Sequence, residues 1–562
     1  MIAPVLFGLV ALSMLVVAPA WMSWRARTRL LVRIRAEWSH PRSRPRDMDA
    51  VADFFRSHDA AGASLDDRTW NDLLLDDVFA HLDRTESSVG QQMLYRRLRS
   101  APAPPSLDAF DALVARAADD AGRRERTQTV LARLGDSSAY FVHRLARPDA
   151  LDPQPWYVIF PVWSAAVVLM LSLGIVWPPA LFAGVFGFVV NKVILVVIGR
   201  RLAGEIVWFR QLGPLLSAAR ALTGFGTEET AAITGALATD LAALRRLGSI
   251  ARWVSRDPLA TNDLTFLLQE FGNTLFLMDA NALYFAGREL QLRAPHLLSV
   301  IETVGEIDAA IAVASFRAGL DGLGGWTRPR FASPDARATF TDLRHPLVDQ
   351  AVPNSIALAP PHGVLVTGSN MSGKSTLLRT VGINVVLAQT INTCLARAYE
   401  APVYQVRSCI GRADDLIAGK SYYLVEVESV LALVRASERA EPHLFIFDEL
   451  FRGTNAVERI AAAEAVLAAL IGGGKPHVVL AATHDGELVD LLRDAYVVCH
   501  FGDAVGPDGL VFDYHLTPGP ATSRNAIALL ELNGAPESVV TRALARAAAL
   551  DRQRQQWTEE RA

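Results

Sequence analysis

Gly363-Val-Leu-Val-Thr-Gly-Ser-Asn-Met-Ser-Gly-Lys-Ser-Thr-Leu-Leu-Arg-Thr-Val-Gly382 decides the fold. The apolar run Val364-Leu365-Val366 leads into Gly368-x-x-x-x-Gly373-Lys374-Ser375 and then into a helix-forming stretch. This is the strand, phosphate loop and helix of a P-loop in the order the motif requires. Glycines at 368 and 373 let backbone N–H groups turn inward around phosphates, Lys374 reaches the β and γ phosphates, Ser375 ligates magnesium, and the helix that follows points its positive end at the anion. The candidate nucleotide-binding residues are Gly368, Asn370, Met371, Ser372, Gly373, Lys374, Ser375 and Thr376.

Downstream, Leu444-Phe-Ile-Phe447 ends in Asp448-Glu449. An apolar strand that delivers two carboxylates to its C-terminal end is how a parallel sheet places acids beside a P-loop. Asp448 is the expected metal holder, through Ser375 or water, and Glu449 is the candidate base that orients the attacking water. A third apolar run, Val478–Ala482, ends at Thr483-His484, and His484 is placed to sense the γ-phosphate.

The chain has 562 residues, too many for one hydrophobic core, so at least two domains are expected. Apolar residues make up 51% and charged residues 20%, and mean hydropathy is +0.22, a balance that points to contact with lipid and away from a disordered scaffold. The net charge of -4 supplies no bulk positive field for nucleic acid. Three cysteines, Cys394, Cys409 and Cys499, have the spacing of neither a disulfide framework nor a zinc knuckle.

No charged residue occurs from Met1 to Trp24, long enough for one transmembrane helix; Ala18-Pro19-Ala20 favours a cleaved signal peptide as the rival reading, but no basic residue precedes the apolar run and Arg25, Arg27, Arg29, Arg33 and Arg35 follow it. The positive-inside rule puts the N-terminus outside and the remainder in the cytoplasm of an inner, or plasma, membrane protein. A second apolar block, 156–199, carries only Lys192 as a charge. As one helix it would be about 66 Å long, so it is expected to turn back at Gly174 to Pro179, giving passes near 157–176 and 179–199. Arg144 and Arg147 before it and Arg200 and Arg201 after it keep both ends cytoplasmic. Lys192 is expected to snorkel toward head groups. Asp66 to Ser100 reads as helical, with Ser88 and Gln91 suiting a capping box, and Leu202 to Phe316 reads as a helical stalk or lever.

Thr367-Gly-Ser-Asn-Met-Ser-Gly-Lys-Ser-Thr376, Asp414-Asp415-Leu416, Ser421-Tyr-Tyr-Leu-Val-Glu426, Asp448-Glu-Leu-Phe-Arg-Gly-Thr454 and Thr483-His484 together resemble the ATPase domain of MutS-type DNA mismatch repair proteins. The likeness extends through Arg344-His345-Pro346, Val352-Pro353-Asn354, Thr517-Pro-Gly-Pro-Ala-Thr522 and Asn533-Gly534-Ala535-Pro536, and more loosely through 66–100 and Glu306-Ile-Asp-Ala309. It implies a C-terminal α/β P-loop NTPase domain of ABC type, MutS-like, with an all-α core and lever region, to which the hydropathy adds three transmembrane helices. The expected divisions are 1–24 as the first membrane helix, 25–150 as a core-like segment, 156–199 as the membrane hairpin, 200–325 as core and lever, 330–545 as the ATPase domain and 546–562 as a helical tail.

The resemblance further implies ATP and Mg2+ as cofactors and a homodimer in which Ser421 contributes in trans to the γ-phosphate, Asn455 lies near the dimer interface and Gln389 near the metal and attacking water. Ala351 stands where relatives place an aromatic residue against adenine, Cys409 replaces an arginine, and Tyr422-Tyr423 replace a Thr-Phe pair. About 40 residues between anchor and core-like segment leave no room for an N-terminal mismatch-reading domain. Two functions follow as expectations: a membrane-anchored, MutS-like ATPase that binds duplex or branched DNA, or an ATP-driven membrane switch acting on a protein partner without DNA. An ABC transporter fits poorly, since no Leu-Ser-Gly-Gly-Gln signature occurs and three helices per chain make a thin path.

Overall fold

Val364-Leu365-Val366, Leu444–Phe447 and Val478–Ala482 show no apolar–polar alternation, the pattern of strands covered on both faces. In the computed structural model each lies in a buried strand. The structure describes residues 21–59, 65–100, 104–147, 155–201, 203–254, 263–321, 324–369, 371–410, 422–506, 509–521 and 526–559. They form two compact units, Met1–Ala63 with Phe79–Gly324, and Ser64–Val78 with Gly325–Ala562.

Among the described residues the second unit contains ten strands: β1 (Arg330–Phe331), β2 (Ala338–Leu343), β3 (Asn354–Leu358), β4 (Gly363–Thr367), β5 (Ala398–Ala401), β6 (Gln405–Cys409), β7 (His443–Asp448), β8 (Val478–Ala482), β9 (Tyr496–Gly506) and β10 (Gly509–Pro518). Six make the main sheet in the order β10-β9-β4-β8-β7-β6, parallel except for the β9–β10 hairpin. The other four make a small sheet, β1-β5-β2-β3. Phe445 and Phe447 are fully buried in the main core, each contributing roughly 2 kcal/mol of apolar burial.

Ser64–Val78, inside the segment 25–150 read as core-like, groups with the sheet unit. Asp72 accepts hydrogen bonds from Ser408 Oγ (2.8 Å) and the Ile410 N–H (2.9 Å), Thr69 Oγ1 accepts one from the Ser408 N–H (3.2 Å), and the Asp72 carbonyl accepts one from Arg379 Nε (2.9 Å). These bonds complete the exposed edge of β6 with a helix, Asp67–Asp72. One helix, Glu537–Glu559, runs through the described part of the expected helical tail at 546–562.

The first unit is helical. Its longest element, Met278–Leu320, spans about 65 Å. Asp308, fully buried on it, accepts from the backbone N–H groups of Glu86 (3.0 Å) and Ser87 (2.8 Å) and from Ser87 Oγ (2.5 Å). A Cβ on Gly90 would collide with this carboxylate, so glycine permits the approach. Burial pushes the Asp308 carboxyl up to about 6. The capping box expected at Ser88 is displaced by one residue: Ser87 is the N-cap of helix Ser88–Arg99, and Gln91 donates to Asp83 instead.

Among the described residues, two helices have the length and apolarity to cross a membrane, Trp156–Leu173 and Pro178–Ile198. The first expected span, 1–24, lies mostly on residues 1–20, outside the described residues. Lys192 does not simply snorkel; it pairs with Glu270 at 2.7 Å.

Candidate nucleotide site

Parallel register brings the chemistry to one edge. Val366 and Asp448 both pair with Ala482, so the ends of β4, β8 and β7 lie level and deliver the phosphate loop, Thr483-His484 and Asp448-Glu449 side by side. Gly368 and Gly373 have φ of 143° and 107°, which only glycine adopts without strain. Gly373 then caps helix Lys374–Ile391, whose N-terminus faces the loop.

Lys374 is buried and donates to the carbonyls of Gly368 (2.8 Å) and Ser369 (2.7 Å). Burial lowers its pKa, against the pull of Glu449 and Asp448. Ser375 Oγ donates to Asp448 Oδ2 at 2.5 Å, while Asp448 Oδ1 is buried with no hydrogen-bond partner among the described residues. Burial pushes the Asp448 carboxyl up despite the serine. A hydroxyl and a buried, half-satisfied carboxylate on adjoining elements fit a magnesium ion.

Glu449 has φ of 55°, an uncommon conformation for a side-chain-bearing residue, and its N–H donates to the Ala482 carbonyl at 3.0 Å. The turn aims its carboxylate at two cations. His484 Nδ1 lies 3.1 Å from Glu449 Oε2, and Arg452 forms an ion pair with the same oxygen. Burial alone would raise the Glu449 pKa, but the hydrogen bond and charge of His484, aided by Arg452, hold it below the ordinary range. His484 is raised in turn, chiefly by that hydrogen bond. Neighbouring carboxyls are thereby pushed apart, Asp448 upward and Glu449 downward, which separates their roles.

A cleft of about 480 Å3 adjoins these groups, with Lys374, Ser375, Thr376, Met371, Gly373 and Glu449 in its lining. Thr376 is exposed to it, Met371 is 86% exposed, and Ser372 is buried with its hydroxyl unpartnered among the described residues. Ala351 lines the cleft, as do Phe501 and Tyr514. A Cβ on Gly373 would lie 3.3 Å from Tyr514 Cδ1. Asn354 fixes that aromatic residue by donating to the Tyr514 carbonyl (2.9 Å) and accepting from the Leu516 N–H (2.7 Å). Of these two rings of the β9–β10 hairpin, Tyr514 is 45% exposed and Phe501 is buried. Neither they nor Arg452 were singled out from the sequence; the Val352-Pro353-Asn354 stretch and the arginine four residues after Asp448 were the available signals.

Gln389 is a correction. It lies 15 residues along the helix from Lys374, roughly 22 Å away, and both ends of its amide are used by Tyr404, donating to the carbonyl (2.9 Å) and accepting from the N–H (2.7 Å). It pins the distal end of the helix and does not reach the metal or attacking water. Asn455 is exposed and caps helix Ala456–Ile471, accepting from the Glu458 N–H at 3.0 Å, and is not among the cleft residues. Asn370 and Ser421, with Asp414-Asp415-Leu416, lie outside the described residues.

Comparison with known proteins adds the following. Residues 364–551 match the model of MutS domain V. The DNA mismatch repair protein MutS of Thermus thermophilus is 37% identical over 241 residues, 42% of this chain and 29% of that protein. The protein of the same name from Thermus aquaticus is 33% identical over 261 residues, 46% of the chain and 31% of that protein. The DNA mismatch repair protein MutS 2 of Halobacterium salinarum is 33% identical over 259 residues, 44% and 29% respectively. The chain thus spans less than a third of the length of each of these relatives.

Proposed function

We propose, from the match of residues 364–551 to MutS domain V, that the chain is a MutS-type ATPase whose two copies close on ATP beside a membrane and hold DNA in the closed state. The observation that supports this most directly is the carboxylate pair: Asp448 on Ser375, and Glu449 held ionised between His484 and Arg452.

In this reading Lys374 and the loop N–H groups bind the phosphates, and Ser375 with Asp448 holds magnesium, which neutralises phosphate charge when bound. Glu449 orients the water and takes its proton, which requires the carboxylate form that His484 and Arg452 favour. His484, half exposed beside the cleft, donates toward the terminal phosphate as the water attacks. Tyr514, exposed in the lining of the cleft, covers the base. Ser421 and Asn455 of the facing copy complete the site, so the triphosphate joins two subunits and its hydrolysis releases them. Helices Trp156–Leu173 and Pro178–Ile198, with the arginines flanking them, tether the assembly as a multi-pass protein whose ATPase domain faces the cytoplasm.

DNA enters this reading from the names of the relatives. The competing reading, a membrane switch acting on a protein, gains support from the net charge of -4 and the apolar hairpin. Titration of the full chain with duplex and branched DNA across a salt series separates them, since phosphate contacts give affinity that falls steeply with salt. Absence of binding at low salt, with and without ATP, discards the DNA reading. The dimer is tested by turnover against protein concentration: full turnover from a strictly monomeric chain contradicts it.

A further inference from the structure

The helix Asp263–Phe276 and the first turns of Met278–Leu320 meet at Leu277, a corner with φ of 48°. Both pack against the apolar hairpin. Phe160, Leu277 and Ala280 form a buried cluster with Tyr157, Trp163, Ile194, Leu195 and Ile198. Asn191 of the second hairpin helix, fully buried, donates to the carbonyls of Thr274 (2.9 Å) and Leu275 (3.2 Å) and accepts from Trp163 Nε1 (2.8 Å). Lys192 pairs with Glu270. The corner is therefore fastened to the hairpin by groups that sit within a segment read as membrane-spanning.

Beside it runs an open groove of about 790 Å3. One wall is the first hairpin helix, from Pro161 to Ser172, about 16 Å of helix; the other includes Phe276, Asn281 and Phe285. Phe276 is 48% exposed, Phe285 42% and Leu169 56%. Leu267 and Phe271, one helical turn apart, and Leu292, two turns beyond Phe285, extend the exposed apolar surface along both arms of the corner. Asn281 is buried and donates to Ser164 Oγ (3.2 Å) and to the Phe276 carbonyl (2.8 Å), while its Oδ1 is buried with no hydrogen-bond partner among the described residues.

We infer that this groove holds a phospholipid acyl chain of the bilayer, which seats the base of the long helix Met278–Leu320 directly against lipid. The inference rests on the hairpin being in a membrane. Continuity supports lipid as the occupant, because the groove opens onto the same exposed apolar side chains, Leu169 among them, that a spanning helix turns to the hydrocarbon. Its lining is apolar apart from Ser164, Ser172 and Asn281. Ser164 accepts from Asn281 and donates to the Pro161 carbonyl, and Ser172 donates to the Val168 carbonyl, so the hydroxyls of the lining are engaged within the protein.

The test uses the full chain in vesicles of phosphatidylethanolamine and phosphatidylglycerol doped with a phospholipid that carries a photoreactive diazirine in its acyl chain. The expected result is label on Phe276 and Phe285 as well as on the hairpin. Ala165→Trp, which fills the groove from the exposed side of the hairpin helix, is expected to abolish label at Phe276 and Phe285 while leaving label on Phe182 unchanged. Label confined to the hairpin overturns the groove and spares the membrane reading; label nowhere overturns both. Label at Phe276 and Phe285 that survives Ala165→Trp overturns the groove as the route of contact. If Phe285→Cys instead links two copies through a disulfide, a second chain fills the groove and the lipid assignment is wrong.

Discussion

The two units solve their polar problems over different distances, and the contrast explains what each can be asked to do. In the sheet unit, adjacent residues carry opposite tasks: Asp448 is pushed toward protonation and Glu449 toward ionisation within one peptide bond. In the helical unit, Asp308 satisfies donors on Glu86 and Ser87, more than two hundred residues earlier in the chain. Chemistry is local in the first, architecture is long-range in the second. Substitutions in the sheet unit should therefore alter nucleotide handling with little change in folding, and substitutions in the helical unit the reverse.

Glu449→Gln tests the first half most severely. Loss of the proton acceptor should slow turnover by roughly 10^3-fold with binding retained, measured by phosphate release against titration of a fluorescent nucleotide; normal turnover would remove Glu449 from its role. Lys374→Ala should weaken nucleotide binding by roughly 100-fold through loss of a charge-assisted contact, and unchanged affinity would contradict the assignment of the loop. Asp308→Ala strands buried donors and should cost the helical unit about 3 kcal/mol, seen as an earlier urea transition of that unit while nucleotide affinity holds. If both properties fall together, the units are energetically one and the contrast fails. Asn455→Ala removes a helix cap, worth about 1 kcal/mol; a much larger loss of turnover in a normally folded protein would show that the residue also serves the facing subunit's site.

The smallest expected effect is with pH. The raised pKa of His484 means that its share of the pairing is fully present below its ordinary 6.5 and is lost as pH rises through the raised value. The lowered pKa of Glu449 means that its share is present above its ordinary 4.5 and is lost as pH falls through the lowered value. Turnover should be level between those limits and decline above the upper one, and His484→Gln should remove the alkaline decline.

What could be read from sequence follows the same contrast. The phosphate loop, Asp448-Glu449 and the paired apolar helices are written in consecutive residues, so periodicity and strand–turn–helix order suffice. Gln389 was misplaced because its position along the helix, far from Lys374, outweighs any likeness of motif. Arg452 and Tyr514 reach the cleft by a turn and a hairpin whose direction depends on positive φ at Glu449 and Tyr514. The pairing of Lys192 with Glu270 and the docking of Asp72 on β6 join residues whose separation in sequence carries no signal.

That last docking has a consequence for biosynthesis. Ser64–Val78 leaves the ribosome long before the sheet it completes, so this strip must wait, tied at both ends to helices that can already fold, until β6 emerges. An expression clone that begins after the long helix omits a covering piece of the sheet unit and exposes a bare strand edge, and its insolubility would report a missing part rather than an unstable fold.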